Sequence, residues 1–257
     1  MPEAATKATF PFFNWLNKKT EPTPYVAPIA LQHELSDLPL VKRILVDHTT
    51  VAFRPSFTVL TEDQQQDHTN WFIFPGGVGI AKNAPKTEDS EFWKKSLIRG
   101  TTLHGESRIE HALQAYNESD DILVTIARFG DSMCGHNGLV HGGLISAFFD
   151  DQFGILFSIA QKGESGVTAN LSVNFRAPMP APLNVAYVLW IEKVEGRKVF
   201  LKGEARSVPI KESADVVLDE TATVGERYLP GSIKFAEATA LFIKVKKDQL
   251  EKMKEQT

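Results

Sequence analysis

An α+β fold in which a curled antiparallel sheet wraps one long buried helix is predicted by three features of this 257-residue chain. An apolar segment, Leu144 to Ile159, is too long and too poor in turn residues for a strand, so it reads as a helix that is apolar nearly all round, as a buried helix should be. Two strand-like runs, residues 108–116 and 122–129, precede it across the polar turn 117–121. After Gly166 the period changes, and the runs 167–175, 183–194, 198–208 and 237–246 are β-rich and broken by turns.

In chain order, Pro22, Pro24, Pro28 and Pro39 favour irregular extended backbone over residues 20–40, an arm or linker. Residues 41–46, 52–60 and 71–77 are short apolar pieces that build no independent domain, and Gly76 to Ile80 reads as a tight turn, because no Gly-Lys-Ser/Thr follows. The Gly-rich stretch 130–138 reads as a loop. The helix is expected from about 142 to about 160, stopped by a turn at Lys162-Gly163. Glu195-Gly196-Arg197 is a hairpin turn, residues 209–233 a polar insertion, and the charged residues from Lys247 a solvated end. The expected organisation is an N-terminal extension over 1–95, a helix-and-sheet domain over 96–248 and a charged tail over 249–257, with residues 1–95 a candidate to lie over the sheet.

Composition narrows the partners. A 42% apolar and 23% charged chain buries a core, and a formal net charge of −4 lacks the basic excess that nucleic acid or an anionic membrane would require. The longest apolar run carries Asp150 and Asp151 in its middle, which argues against membrane insertion. With Cys134 alone, an internal disulfide or multi-cysteine metal site is excluded. Residues 1–20 hold Lys7, Lys18 and Lys19 but no Arg, a weak match to a mitochondrial presequence, so the expected setting is intracellular, cytoplasmic or mitochondrial.

Two carboxylates in an apolar helix need a chemical reason. A helix opening on Gly142 and Gly143 offers unpaired N–H groups at the positive end of its dipole, and the missing side chains let a carbonyl approach, which makes an oxyanion site. Asp150 follows Gly143 by seven residues, on nearly the same face but about 10 Å along the axis, too far for one carbonyl to touch both. Two such helices running antiparallel across a two-fold axis would bring Asp150 of one protomer to Gly143 of the other, so the spacing predicts a dimer with two equivalent sites. Gly154, one turn on, keeps the space beside the carboxylate open, whereas Asp151 points about 100° away.

The set His141-Gly142-Gly143, an acid nine positions after the His, Thr168-Ala169-Asn170 opening a strand, and Phe175-Arg176-Ala177-Pro178 closing it resembles the hotdog-fold thioesterases of the PaaI type. It is most similar to the mitochondrial thioesterase superfamily member four group, over roughly residues 106–246. The resemblance implies a hotdog fold, protomers joined sheet edge to sheet edge as a homodimer or dimer of dimers, and hydrolysis of acyl-CoA thioesters in fatty acid metabolism, with no cofactor or metal. It implies that the Gly143 N–H polarises the thioester carbonyl, that Asp150 of the opposite protomer is general base or nucleophile, and that Thr168 positions water or the carbonyl. His141, Gly142, Asn137 and Asn170 are the implied substrate-binding residues. Many relatives carry Asn or Gln six residues before the His; here that position is Gly135, with His136 and Asn137 beside it.

Plainer readings stand beside these. His141 is a structural residue at the helix start before it is a base, Thr168 by itself is an ordinary strand residue, and His136 with His141 lacks the further ligands of a metal site. Nothing near Cys134 marks it as activated. A non-catalytic acyl-CoA or lipid-binding regulator is the alternative function. A hydratase would need a His and acid pair aimed at one carbon, which the spacing of His141 and Asp150 on one helix does not supply.

Overall fold

The computed structural model describes residues 37–40, 50–55, 77–78, 97–98, 102–117, 120–161, 164–210 and 220–246. The apolar pieces 41–46 and 71–76, the turn Lys162-Gly163, and the first twenty and last eleven residues lie outside them. Strands β1 (Thr50–Pro55), β2 (Gly77–Val78), β3 (Ile109–Asn117) and β4 (Ile122–Phe129) come first, then a short hairpin of β5 (Cys134–His136) and β6 (Leu139–Val140). Helix α1 (Gly142–Ala160) precedes β7 (Gly166–Phe175), β8 (Leu183–Glu195), β9 (Lys198–Ser207), helix α2 (Val224–Tyr228) and β10 (Lys234–Lys244). The main sheet has the order β2-β1-β3-β4-β8-β9-β10-β7, and each pair in it is antiparallel. This is the expected α+β hotdog arrangement, a curved sheet around one helix.

The helix matches its expected bounds because both ends are written locally. His141 caps the first turn, and the Gln161 N–H closes the last on the Phe157 carbonyl. At 19 residues α1 has the length and apolarity of a membrane span, yet Ile145, Phe148, Phe149, Gln152, Phe153, Ile155, Leu156 and Phe157 are buried, and it serves as the core helix. Phe148 and Phe149 meet Tyr187 of β8 at ring-centroid distances of 4.7 and 4.8 Å, and Phe129 meets Phe148 edge-on at 5.3 Å. Burying each such ring contributes roughly 1.5–3 kcal/mol. Toward its C-terminal end, Phe157 stacks on Phe242 of β10. A Cβ at Gly166 would lie 2.4 Å from the Phe157 ring, so glycine at the start of β7 lets this strand and α1 approach closely.

One polar element crosses this core. Gln152 Oε1 accepts from Gln114 Nε2 and Thr125 Oγ1, both at 2.6 Å, and its Nε2 donates to Asp151 Oδ2 at 3.0 Å. All of Gln114, Thr125 and Gln152 are buried, so the network is satisfied internally and fixes the rotation of α1 against β3 and β4.

Four details depart from the sequence reading. The segment 130–138 is a 3-10 turn (Asp131–Met133) and the β5–β6 hairpin, whose connection is Asn137-Gly138 with Gly138 at φ +71°. Asn-Gly is the sequence signature of such a turn. Gly77–Val78 is a short strand on β1 where a tight turn is expected. The polar 209–233 segment contains α2, held by a capping box in which Thr223 Oγ1 accepts from Glu226 N and Glu226 Oε2 accepts from Thr223 N. The last strand starts at Lys234, three residues early, because Phe235 and Ala236 belong to the core and Phe235 O accepts from Arg176 N.

His104 anchors the approach to β3. Its Nε2 lies 2.5 Å from Ile98 O and its Nδ1 3.2 Å from Ile109 O, in a site only 2% exposed. Burial pushes the imidazole from 6.5 down to about 4, against the upward pull of the two carbonyls and with help from Arg108. Because the folded value lies below the unfolded one, the unfolded chain binds the extra proton. Stability is then fully present above pH 6.5 and lost as pH falls from 6.5 towards 4, by up to about 3 kcal/mol at ~1.4 kcal/mol per unit. Urea midpoints measured across this window should fall for the native chain and fall less for His104→Gln.

Candidate active site at the start and middle of α1

The site is assembled by α1 and the edge strand β7. Thr168 pairs with Phe242 and Asn170 with Leu241, and a bulge at Ala169 separates them. Phe242 stacks on Phe157 of α1, so Thr168 faces the helix. Its Oγ1 donates to Asp150 Oδ1 at 2.8 Å. Asp150 is half-buried and Thr168 exposed, so the carboxylate sits at the mouth of the helix-sheet contact with solvent access. Asp151 turns instead to Gln152 and the core network. Asp150, bonded to a strand hydroxyl, presents an oriented oxygen for proton transfer or attack.

At the N-terminus of α1, the Gly143 N–H donates to His141 Nδ1 at 2.9 Å. The imidazole is the cap. Because Nδ1 accepts, the neutral ring carries its proton on Nε2. The ring is seated between two glycines: a Cβ at Gly143 would lie 3.0 Å from His141 Nδ1, and one at Gly135 would lie 2.5 Å from His141 Cδ2. Gly135 is the position where many members of the resembled family carry Asn or Gln, and here the His141 ring lies where such a side chain would begin. Gly142 faces the ring of Phe175, 3.3 Å from a Cβ built there, and its carbonyl accepts from Ser146 Oγ at 3.1 Å.

The structure therefore joins Asp150 with Thr168, and Gly143 with His141 and Gly142, as two clusters on one helix. It does not bring Asn137 or Asn170 to either. Asn137 is exposed in the β5–β6 turn, and Asn170 lies on the Leu241 face of β7, away from Thr168 and α1. Among the described residues no group of three or more His, Cys, Asp or Glu is arranged to hold a metal ion. The Asp150–Thr168 bond depends on a strand register 18 residues downstream, so no local pattern announces it; the capping role of His141 is the part that its place before a helix suggests.

Replacing Thr168 with Val removes the donor and keeps the branched shape of a strand residue. A hydrogen bond to a charged acceptor contributes roughly 1.5–3 kcal/mol, so turnover of an acyl thioester should fall about tenfold to a hundredfold with the melting temperature little changed. Steady-state kinetics beside a thermal melt checks both.

Residues 137–214 match the family model described as "Thioesterase superfamily". The chain is 31% identical over 129 residues, 50% of its length and 44% of the relative's, to "Acyl-coenzyme A thioesterase THEM4" of Bos taurus. It is 26% identical over 102 residues, 40% of its length and 46% of the relative's, to "Uncharacterized protein, mitochondrial" of Candida albicans. It thus spans less than half the length of these two curated relatives. Among solved structures, the acyl-CoA hydrolase of Staphylococcus aureus in complex with butyryl coenzyme A, coenzyme A and coenzyme A disulfide has a TM-score of 0.39 at 15% identity, covering 51% of this chain and 70% of that one. The residues similar to the thioesterase superfamily, 137–214, run from the turn before β6 through α1 and beyond the end of β9.

Proposed function

We propose that the protein is an acyl-CoA thioesterase that hydrolyses an acyl thioester to the free acid and CoA, with residues 96–248 as its catalytic domain. The observation that carries this reading is the Thr168 to Asp150 hydrogen bond beside a helix that opens on two glycines. The thioesterase-superfamily match and the acyl-coenzyme A thioesterase name of the Bos taurus relative support it. With Asp150 as base, the carboxylate takes a proton from water, and the hydroxide adds to the thioester carbon. The carbonyl oxygen takes the negative charge, and collapse expels the thiolate, which recovers a proton. Asp150 acting as nucleophile would instead form a mixed anhydride that water opens.

The oxyanion donor in this proposal is the Gly143 N–H, which donates to the His141 imidazole. Substrate binding then exchanges one acceptor for another: the carbonyl displaces Nδ1, and His141 moves aside with its Nε2 proton available. Gly142 supplies close approach. The two functional clusters lie about two turns apart on one helix, so the reading requires a homodimer, or a dimer of such dimers, in which Gly143 of one chain works with Asp150 of the partner. The edge strand β7, whose outward residues are largely exposed, is the surface offered for that pairing. A mitochondrial setting is supported by the name of the Candida albicans relative.

The occupied Gly143 N–H also favours a second reading, a regulator that binds acyl-CoA and leaves it intact. A panel of acyl-CoAs of graded chain length, followed by thiol release and by calorimetric binding, separates the two. Release of free thiol with saturation kinetics on at least one member is the expected result; binding without release on every member that binds would leave the regulator.

A further inference from the structure

Helix α1 fills one face of the sheet only. Gln114 of β3, bonded to Gln152, marks that inner face, and its ladder partner Thr125 and the next partner, Tyr187, continue it across β4 and β8. Their strand neighbours point the other way. Leu113 and Ala115 on β3, Val124 and Ile126 on β4, and Ala186 and Val188 on β8 form two cross-strand rows over three adjacent strands on the outer face. All six are apolar and none is more than 3% exposed. An outer sheet face open to water would alternate to polar residues here; this one is built to be covered.

One strand further, the cover is identifiable. Val188 pairs with Glu204 and Ala186 with Arg206, so these two β9 residues lie on the same outer face, as a buried ion pair at 2.6 Å. Thr223 Oγ1 donates to Glu204 Oε2 at 3.1 Å, Glu226 Oε1 lies 3.6 Å from Arg206, and a Cβ at Gly225 would lie 2.2 Å from Glu204 Oε2. Helix α2 therefore sits over β8 and β9. The apolar rows on β3 and β4 need another occupant. Leu38, Leu40 and Ile98 are 4%, 2% and 6% exposed and belong to the same buried cluster, although α1 already occupies the inner face. The Ile98 carbonyl is held by His104 at the approach to β3, and β1 pairs with the β3 edge, so both segments enter beside the strand whose outer face needs cover.

We infer that the outer face over β3 and β4 is an intramolecular docking surface whose occupant is the chain's own N-terminal extension, anchored by Leu38 and Leu40, with Ile98 beside it where the domain begins. The extension closes this face to a second copy and leaves the β7 edge for association. This holds or fails independently of the hydrolytic reading, because no residue in it belongs to the Asp150 or Gly143 clusters.

Residue-level carbene footprinting of the full chain, compared with Leu38→Asp/Leu40→Asp and the milder Leu38→Ala/Leu40→Ala variant, tests the assignment. Labelling of Leu113, Ala115, Val124 and Ile126 should rise several-fold in the Asp variant and less in the Ala variant, with Phe148, Phe149 and Tyr187 of the inner face unchanged. Light scattering should show the Asp variant assembling beyond the native mass. Unchanged labelling of the four outer residues in the Ala variant, in a protein whose melting temperature shows it folded, overturns the proposal whether or not the Asp variant folds. It is equally overturned if dilution of the native chain alone exposes those four residues, since the cover would then be a second copy.

Discussion

Replacing Asp150 with Asn should lower acyl-CoA turnover by about two to four orders of magnitude and leave folding intact, because the amide keeps the size of the carboxylate and loses its basicity. The environment of the residue makes this a clean test. Asp150 is half-buried and its Oδ1 accepts from Thr168 Oγ1, a bond that the Asn side-chain oxygen can still accept. The core packing next to it, Phe149 against Tyr187 and Gln152 in its network with Gln114 and Thr125, does not involve the carboxylate. A loss of rate with KM, melting temperature and particle mass near native values assigns the chemistry to Asp150. The matching change at Asp151 should behave differently, since the Asn oxygen still accepts from Gln152 but the bond loses its charge assistance, which loosens the network that orients α1. There a stability loss of about 1 kcal/mol is expected, with turnover reduced far less. Equal rate losses in the two variants would remove the distinction between the acids and with it the assigned base.

The part of this arrangement legible in the sequence is the part written in local chemistry. Helix α1 has its start in Gly142-Gly143 and its span in the apolar run, and both bounds follow from those residues. Strands β7, β8 and β9 fall within a residue of their expected limits because each is a β-rich run between turn residues, Gly196 at φ +57° among them. What eluded local reading depends on tertiary context or on short signals inside polar stretches. Helix α2 is five residues long, and its capping box at Thr223 and Glu226 lies in a segment whose polarity reads as loop; the buried Glu204–Arg206 pair beneath it gives it a place to dock. The β5–β6 hairpin was signalled by Asn137-Gly138, and reading that pair as a turn also explains why Asn137 is exposed. Asn170 shows a different limit. Helix geometry relates Gly143 to Asp150, but a bulge at Ala169 changes which face of β7 each neighbour takes, and no composition or period reveals it.

Mixing two inactive chains should restore activity if one helix serves two sites. Asp150→Asn lacks the base and keeps the Gly143 N–H. Gly143→Pro lacks that N–H, and proline is tolerated in the first turn of a helix, where this donor bonds only the His141 ring and no backbone carbonyl. Each variant alone should be nearly inactive: loss of one oxyanion donor costs roughly a hundredfold to a thousandfold. In a mixed dimer, the site formed by Gly143 of the first chain and Asp150 of the second is intact, and the other site has lost both groups. Co-expression with random assortment makes half the dimers mixed, so the pool should recover about a quarter of native turnover. A site built from Gly143 and Asp150 of the same chain predicts no recovery, because every site then carries one lesion. Tagging the two chains differently and purifying the mixed dimer raises the expected value to about half, with one intact site of two. Such recovery would show that the about 10 Å separating glycine and aspartate along α1 is spanned by pairing two copies of the helix rather than by movement within one.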